Sequence, residues 1–344
     1  TGGAGFIGRH LVAKLLHDEH NITIFDNFSS SSKNDISHLL ENGVSLVTGD
    51  ILDYDLLLKS MANHDFVIHL AAQTSVSQSI ADPKTTIDII VDGTVNVLKS
   101  CVKTNVKNLI FSSSGAVYGN SLDAIISENS QLSPLSSYGA SKLVAEYNLQ
   151  TFSKLFGLNC ISLRLFNVYG NGQSSEAGVI RKFLKNISKE LPLEIFGDGT
   201  QTRDFVHISD VTQAFYRAIK NIEAKHGDVY NIGSGVATSI NELASLLISS
   251  KGKDLPIIHK TAIQGEIKDS KADISLAEND IGYSPEVSLR DGLASLVWYY
   301  LVPRMRFAIA NNNIEVMIII EPSKTDIVLP NINPYNTFGA TGSK

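Results

Sequence analysis

Apolar residues along this chain fall into two alternating rhythms. Short β-branched and aromatic runs at Ile22 to Asp26, Val44 to Val47, Phe66 to Leu70, Leu109 to Ser112 and Cys160 to Leu165 have the length and composition of buried strands. Between them apolar residues recur at helical spacing, in the amphipathic run Phe6 to Leu16 and in segments near 53 to 61, 86 to 104 and 138 to 156. Strands alternating with helices predict a doubly wound α/β fold, a parallel sheet covered on both faces. After Leu165 the rhythm loosens into short strands and turns, among them Leu193 to Thr200 and Ile232 to Gly235, followed by helices near 239 to 249 and 288 to 300. That part is expected to form a smaller α/β domain. The expected division is residues 1–165 plus 204–232 for the sheet domain and 166–203 plus 233–300 for the smaller one. Residues 301–344 have no assigned role; they carry Asn311-Asn312-Asn313 between two apolar runs and end in a polar, glycine-rich stretch read as a loose terminus.

Composition narrows the class without naming it. A chain of 344 residues with 43% hydrophobic content can bury a large core, and a formal net charge of −6 without a polybasic run gives no electrostatic reason to expect nucleic acid or an anionic membrane as partner. No signal peptide and no membrane-length apolar run is present, and a cytoplasmic setting is expected. Cys101 and Cys160, the only cysteines, sit in apolar stretches and read as reduced, buried thiols. No metal-ligand spacing appears, and His69 and His207, both in apolar strands, read as structural.

The first eight residues, Thr-Gly-Gly-Ala-Gly-Phe-Ile-Gly, form a glycine-rich turn that opens directly into a helix. Such a turn offers unpaired N–H groups and the positive end of the helix dipole to a pyrophosphate. Asp26 ends the following strand about twenty residues on, where its carboxylate can accept from the adenosine ribose and repel a 2′-phosphate, which favours NAD over NADP. A Rossmann sheet normally has a strand ahead of this turn, at its centre. None precedes it and residue 1 is Thr, so the sequence is expected to lack that first strand, an omission that would be severely destabilising if real in the molecule.

Tyr138 and Lys142 stand four residues apart on one face of a helix that Ser136 or Ser137 can cap. A lysine cation and a cationic nicotinamide both favour a phenolate, so the pair is expected to draw the tyrosine pKa down toward a working general base. Upstream, Leu109 to Gly119 is a buried-type strand ending in hydroxyls at the carboxyl edge of the sheet, where ligands bind.

Together with His69-Leu70-Ala71-Ala72 and Leu163-Arg164-Leu165-Phe166-Asn167-Val168-Tyr169-Gly170, these motifs make residues 1 to about 300 resemble the extended short-chain dehydrogenase/reductase family. More narrowly the chain is similar to the NAD-dependent nucleotide-sugar epimerases typified by UDP-glucose 4-epimerase. The resemblance implies Ser114, Tyr138 and Lys142 as the catalytic trio. It implies Gly2, Gly5, Phe6, Ile7 and Gly8 at the pyrophosphate, Asp26 and Asn27 at the ribose, and Asp50 and Ile51 at the adenine. Leu70, Ala71, Ala72 and Phe166 would flank the nicotinamide. Asn167, Val179, Phe196, Arg203, Glu266 and Ser270 would meet the sugar nucleotide, although Arg203 could instead pair with Asp204 or Asp210. A homodimer is expected. The chain departs from the family pattern where Ile263-Gln264-Gly265-Glu266 replaces Arg-Pro-Gly-Asp, which removes a cation from the diphosphate site, and where Ile90 replaces an asparagine near the cofactor.

Within that superfamily the two positions after the catalytic serine separate reactions. An Asp-Glu pair there carries water elimination in the 4,6-dehydratases, and a glutamate at the second position marks the UDP-glucuronate decarboxylases. Here they are Gly115 and Ala116, neither able to transfer a proton. The resemblance therefore implies epimerisation at C4 of a UDP-sugar through a transient 4-keto intermediate. The alternatives are another NDP-sugar enzyme, such as a UDP-glucuronate 4-epimerase or a reductase, and a truncated, inactive NAD-binding module. Ser270, seven positions after Ile263, falls where epimerases carry a bulky residue if restricted to hexoses and a small one if they also accept N-acetylhexosamines.

Overall fold

The computed structural model describes residues 1–173, 178–251, 254–262 and 267–301. Glu266, the other residues of the altered Ile263 motif that lie between 262 and 267, and the tail from 302 are outside the described residues.

The amino-terminal half alternates as its pattern predicts, through α1 (Phe6–His17), β1 (Thr23–Asp26), α2 (Ser37–Glu41), β2 (Ser45–Thr48), α3 (Tyr54–Met61) and β3 (Phe66–His69). It continues with α4 (Val76–Ala81), α5 (Pro83–Ile87), α6 (Gly93–Thr104), β4 (Asn108–Ser114), α7 (Ser137–Phe156) and β5 (Asn159–Leu165). Next come β6 (Asn167–Tyr169), α8 (Gly178–Ser188), β7 (Leu193–Phe196), β8 (Thr202–His207), α9 (Ile208–Lys220) and β9 (His226–Ile232). The chain then runs through β10 (Ala237–Ser239), α10 (Ile240–Lys251), β11 (Ile257–Lys260), α11 (Ser275–Ile281) and α12 (Leu289–Leu301).

β3, β4, β5 and β9 form a parallel four-stranded sheet in that order. Its strands are apolar on both faces because both are covered. Ile110 and Ile161 point toward α1 and α9, meeting Leu11, Leu15, Val211 and Phe215, while Leu109, Phe111 and Cys160 point toward α6 and α7, meeting Val97, Cys101, Ala145 and Leu149. β1 and β2 form a separate parallel pair. A cleft of about 700 Å³ lined by Leu11, Leu15, Ile22, Ile24, Phe66 and Ile68 lies between β1 and β3. The glycine turn spans one end of it, where Gly2 N–H donates to Phe25 O at 2.9 Å and Leu70 N–H donates to Thr1 O at 3.0 Å.

The single helix expected over 86 to 104 is broken. Asp82 caps α5 at Pro83, and a wide π turn at Asp88–Asp92 separates it from α6. Ile90, in that turn, is buried in the same apolar cluster as Ile51 and Phe111.

The looser half contains more regular structure than its pattern suggests. β6 pairs in parallel with β8, β8 pairs antiparallel with β10, and β7 pairs in parallel with β11. A further apolar cluster gathers Phe183 and Ile187 of α8, Ile195 of β7, Leu243 and Leu247 of α10 and Leu296 of α12. Asp204 on β8 ties this region to the main sheet. Fully buried, its carboxylate accepts from Ser234 N–H at 2.6 Å, Ser234 Oγ at 2.7 Å, Gly235 N–H at 3.0 Å and Ala272 N–H at 3.1 Å.

Replacing Asp204 by Ala strands those buried donors, so Asp204→Ala is expected to lower unfolding free energy by about 3 kcal/mol. Urea denaturation measures this; an unchanged midpoint would show that water or neighbouring acceptors take over the carboxylate's role.

Candidate active site

The glycine turn is shaped by close approach. Gly2 has φ +71°, and a Cβ there would stand 2.5 Å from Ala71 N, so the turn can rest on Leu70 and Ala71 only without a side chain. Gly5 precedes the first turn of α1, with Phe6, Ile7 and Gly8 following, and no side chain caps that end. The helix N–H groups there are available to an anion.

Asp26, at the end of β1, already holds two backbone amides, Ala4 N–H at 3.0 Å and Phe28 N–H at 2.8 Å. A carboxylate has about four acceptor sites, so capacity remains for ribose hydroxyls. Asn27 Nδ2 donates to Asp50 Oδ2 at 2.9 Å, which brings the expected ribose and adenine residues together. Ile51 is buried, and its carbonyl accepts from Asn96 Nδ2 at 3.1 Å. This set of donors and acceptors fits a dinucleotide.

His69 fastens the turn from behind. It is fully buried, with Nδ1 2.7 Å from Thr1 Oγ1 and Nε2 3.0 Å from Thr94 Oγ1, and burial pushes its pKa well below the ordinary histidine value. A neutral, doubly bonded imidazole is a brace, as the sequence suggests.

Ser114 ends β4 at the carboxyl edge of the sheet, its Oγ accepting from Ala116 N–H at 3.2 Å. Tyr138 stands in the first turn of α7, which Ser136 caps by accepting from Gly139 N–H at 3.1 Å. A Cβ at Gly139 would lie 2.6 Å from Ala116 O, so a glycine lets the helix start press against the turn that follows Ser114. Ser114 and Tyr138 are thereby within hydrogen-bonding reach of each other. Lys142 is buried one turn on, donating to Ser112 O at 2.6 Å, with Nζ 4.6 Å from the Phe111 ring centroid and 5.9 Å from that of Tyr138.

The electrostatics differ from the sequence expectation. Burial raises the Tyr138 phenol above its ordinary pKa, outweighing the hydrogen bond from Ser114, and burial draws Lys142 down to about 7 against the opposing pull of Glu146. Desolvation penalises the charged form of both groups, so each leans toward neutrality.

Phe166 lies just beyond β5, nearly buried, its ring beside Gly115. Asn167 begins β6 and pairs with Phe205 of β8, the strand that also carries Arg203. Arg203 Nη1 donates to Thr202 O at 2.7 Å, and Ser270 N–H donates to Thr202 Oγ1 at 3.4 Å. Asp204 and Asp210, its alternative partners, both accept from backbone amides. Phe196 ends β7, 39% exposed, and Val179 is half-buried near the start of α8. His207, expected to be structural, caps α9 by accepting from Ser209 N–H.

The profile of the NAD dependent epimerase/dehydratase family matches residues 1–233. The chain belongs to this family. UDP-glucose 4-epimerase of Mycolicibacterium smegmatis is 36% identical over 307 residues, covering 87% of this chain and 97% of the relative. Among solved structures, UDP-glucose 4-epimerase of Thermotoga maritima with UDP-glucose superposes with TM-score 0.82 at 33% identity, covering 87% of this chain and 96% of that one. UDP-glucuronic acid 4-epimerase of Bacillus cereus with UDP-glucuronic acid and NAD gives TM-score 0.81 at 34% identity, covering 87% and 97%. As a family member the chain is an enzyme with NAD as its cofactor.

The sequence alone did not single out Glu146, Arg164, Ser113, Tyr118 or Asn231, which form a connected buried network behind Lys142. The signal was an arginine in the middle of the apolar strand Cys160 to Leu165, which demands a buried carboxylate partner.

Asp26→Asn preserves an acceptor for Ala4 N–H while removing the charge. Calorimetric titration is expected to give NAD affinity lower by roughly tenfold and a narrowed preference over NADP. An unchanged affinity ratio would place the ribose elsewhere.

Proposed function

We propose that this enzyme interconverts UDP-glucose and UDP-galactose by epimerisation at C4, and that it also accepts the corresponding N-acetylhexosamine pair. The observation that carries this reading is the grouping of Ser114, Tyr138 and Lys142 at the sheet's carboxyl edge, with Gly115 and Ala116 following the serine. Elimination would need an acid and base where those two residues stand. Kinship with the Mycolicibacterium and Thermotoga enzymes supports the reading, and the Bacillus cereus enzyme makes UDP-glucuronate the competing substrate.

In this mechanism Tyr138 removes the proton from the sugar 4-hydroxyl and later returns it, and Ser114 donates to the oxygen as charge develops there. Lys142 gives the phenolate a neighbouring cation. When bound, NAD supplies the acceptor and donor for the C4 hydride and a cationic ring that offsets the burial cost of the phenolate. Gly2, Gly5, Phe6, Ile7 and Gly8 would hold its pyrophosphate, Asp26, Asn27, Asp50 and Ile51 its adenosine, and Leu70, Ala71, Ala72 and Phe166 its nicotinamide. Asn167, Val179, Phe196 and Arg203 would anchor the nucleotide diphosphate while the keto sugar turns to present its other face. Homodimerisation has an exposed apolar stripe available on α7, at Val144, Tyr147 and Leu155. A reducing cytoplasm suits Cys101 and Cys160, both free and buried.

Tyr138→Phe keeps the ring and removes the proton acceptor, so turnover is expected to fall by at least about a thousandfold while NAD still binds. Retention of more than about a tenth of the activity would remove Tyr138 from the role of base.

Ser270 is small and nearly buried. A sugar-nucleotide panel should therefore show turnover of both UDP-glucose and UDP-N-acetylglucosamine, with Ser270→Tyr suppressing the acetamido sugar selectively by steric exclusion. Equal loss on both sugars would contradict this pocket assignment, and conversion of UDP-glucuronate alone would replace the substrate reading.

A further inference from the structure

Behind Lys142 lies a polar network that takes no part in the mechanism above. Glu146 follows Lys142 by one helical turn on the same face of α7 and is 1% exposed. Its carboxylate accepts from Ser113 Oγ on β4 and from Arg164 of β5, by Nε at 3.0 Å and Nη2 at 2.7 Å. Arg164, 4% exposed, also donates from Nη1 to Tyr118 Oη at 2.7 Å, and Tyr118 donates onward to Asn231 Oδ1 at 2.6 Å. Asn231 in turn donates to Ile126 O at 2.9 Å and receives Glu128 as acceptor for its own N–H at 2.7 Å. The chain of bonds joins α7 to three strands of the main sheet. It also reaches residues immediately beside the putting-together of catalysis, since Ser113 is the neighbour of Ser114 and Ser112 O is the acceptor for Lys142.

We propose that Glu146 is a positioning residue for the reaction, fixing the turn of α7 that presents Lys142 to Tyr138 through its locked contacts with Ser113 and Arg164. The inference rests on the epimerase reading for its consequence, but its geometry concerns residues of the chain alone. Two effects follow. Because β4 supplies both Ser113 and Ser114, the bond from Ser113 sets the register between the serine strand and the tyrosine helix. One helical turn from Lys142 on the same face, the Glu146 carboxylate also opposes the effect of burial on the lysine.

The ionisable groups around Lys142 among the described residues are few. Tyr138 and Glu146 share its helix, and His69 faces it from β3. Arg164 of β5 stands beyond Glu146. Cys101 of α6 and Cys160 of β5, in the adjoining core, are kept protonated by burial. Lys84 of α5 and Asp88 pair with each other on an outer surface. Removing the Glu146 charge leaves burial unopposed at Lys142, which then loses its proton at lower pH. With NAD bound, its cationic ring draws the phenol down toward the range in which Lys142 titrates; there a neutral amine no longer favours the phenolate, so Tyr138 ionises at higher pH.

The test is an ultraviolet difference titration of tyrosinate in the NAD-bound protein, each form read against its own Tyr138→Phe counterpart. Glu146→Gln should raise the Tyr138 midpoint by about one pH unit and lower kcat about tenfold with KM within about twofold. The variant Glu146→Gln with Arg164→Met removes both members of the ion pair, leaves no unpaired guanidinium, and should shift the midpoint in the same direction with stability closer to the parent's. Ser113→Ala, which deletes a single hydroxyl, should move the midpoint the same way by a smaller amount. A folded Glu146→Gln, double variant or Ser113→Ala protein whose Tyr138 titrates as in the parent would overturn the proposal. The titration needs no sugar nucleotide, so variants that show this shift from a parent that binds NAD yet turns over no UDP-sugar would sink the functional reading and leave this one standing.

Discussion

Lys142 and Glu146 are buried on one face of α7 against a parallel sheet, and neither can be left there without a partner. Moving an isolated charge into an apolar interior is prohibitively unfavourable, and removing one member of a buried ion pair costs about 3–5 kcal/mol. The sequence answers with Arg164 in the otherwise apolar β5 and with hydroxyls at Ser113 and Tyr118. Their fixed positions in turn set where α7 can sit over β4. Tyr138 and Ser114 meet at the sheet's carboxyl edge as a consequence of this register, and the absence of a side chain at Gly139 lets the helix start approach Ala116.

The same edge receives the glycine turn. Asp26 both closes β1 and holds Ala4 N–H, while Thr1 and Thr94 are bridged through the buried ring of His69. The glycine turn is thus braced from β1 and β3, and Ser114, Tyr138 and Lys142 from β4 and β5, whose neighbour in the sheet is β3. On the other side of the site, Asp204 fastens β8 to the turn after β9 and to the segment near Ser270, so Arg203 and Ser270 are presented from a cross-linked surface.

Much of this is legible in the sequence. The strands from Ile22 to Leu165 announce themselves because both faces are buried and little interrupts their apolar runs, and Ser136 before Tyr138 marks a helix start by its capping chemistry. The break at Asp88–Asp92 was hidden because apolar spacing runs on through it, although Asp82-Pro83 signals a new helix start. α9 was hidden because its cap is a histidine, an unusual residue for that position. β6, β8 and β10 are short strands whose existence depends on one another, and local sequence cannot show that. The effect of burial on Tyr138 and Lys142 is hidden for a related reason. Spacing reveals that two groups are neighbours but not how deeply both are buried.

On the epimerase proposal, Tyr138 and its neighbours carry a reversible oxidation confined to C4 of a UDP-sugar. Proton NMR of UDP-glucose incubated with the NAD-bound enzyme in deuterium oxide tests it most directly. UDP-galactose is expected to appear with its C4 proton fully retained, because the hydrogen leaves and returns as a hydride that never exchanges with solvent. Deuterium at C4 or C5, or a deoxygenated product of elimination, would contradict it.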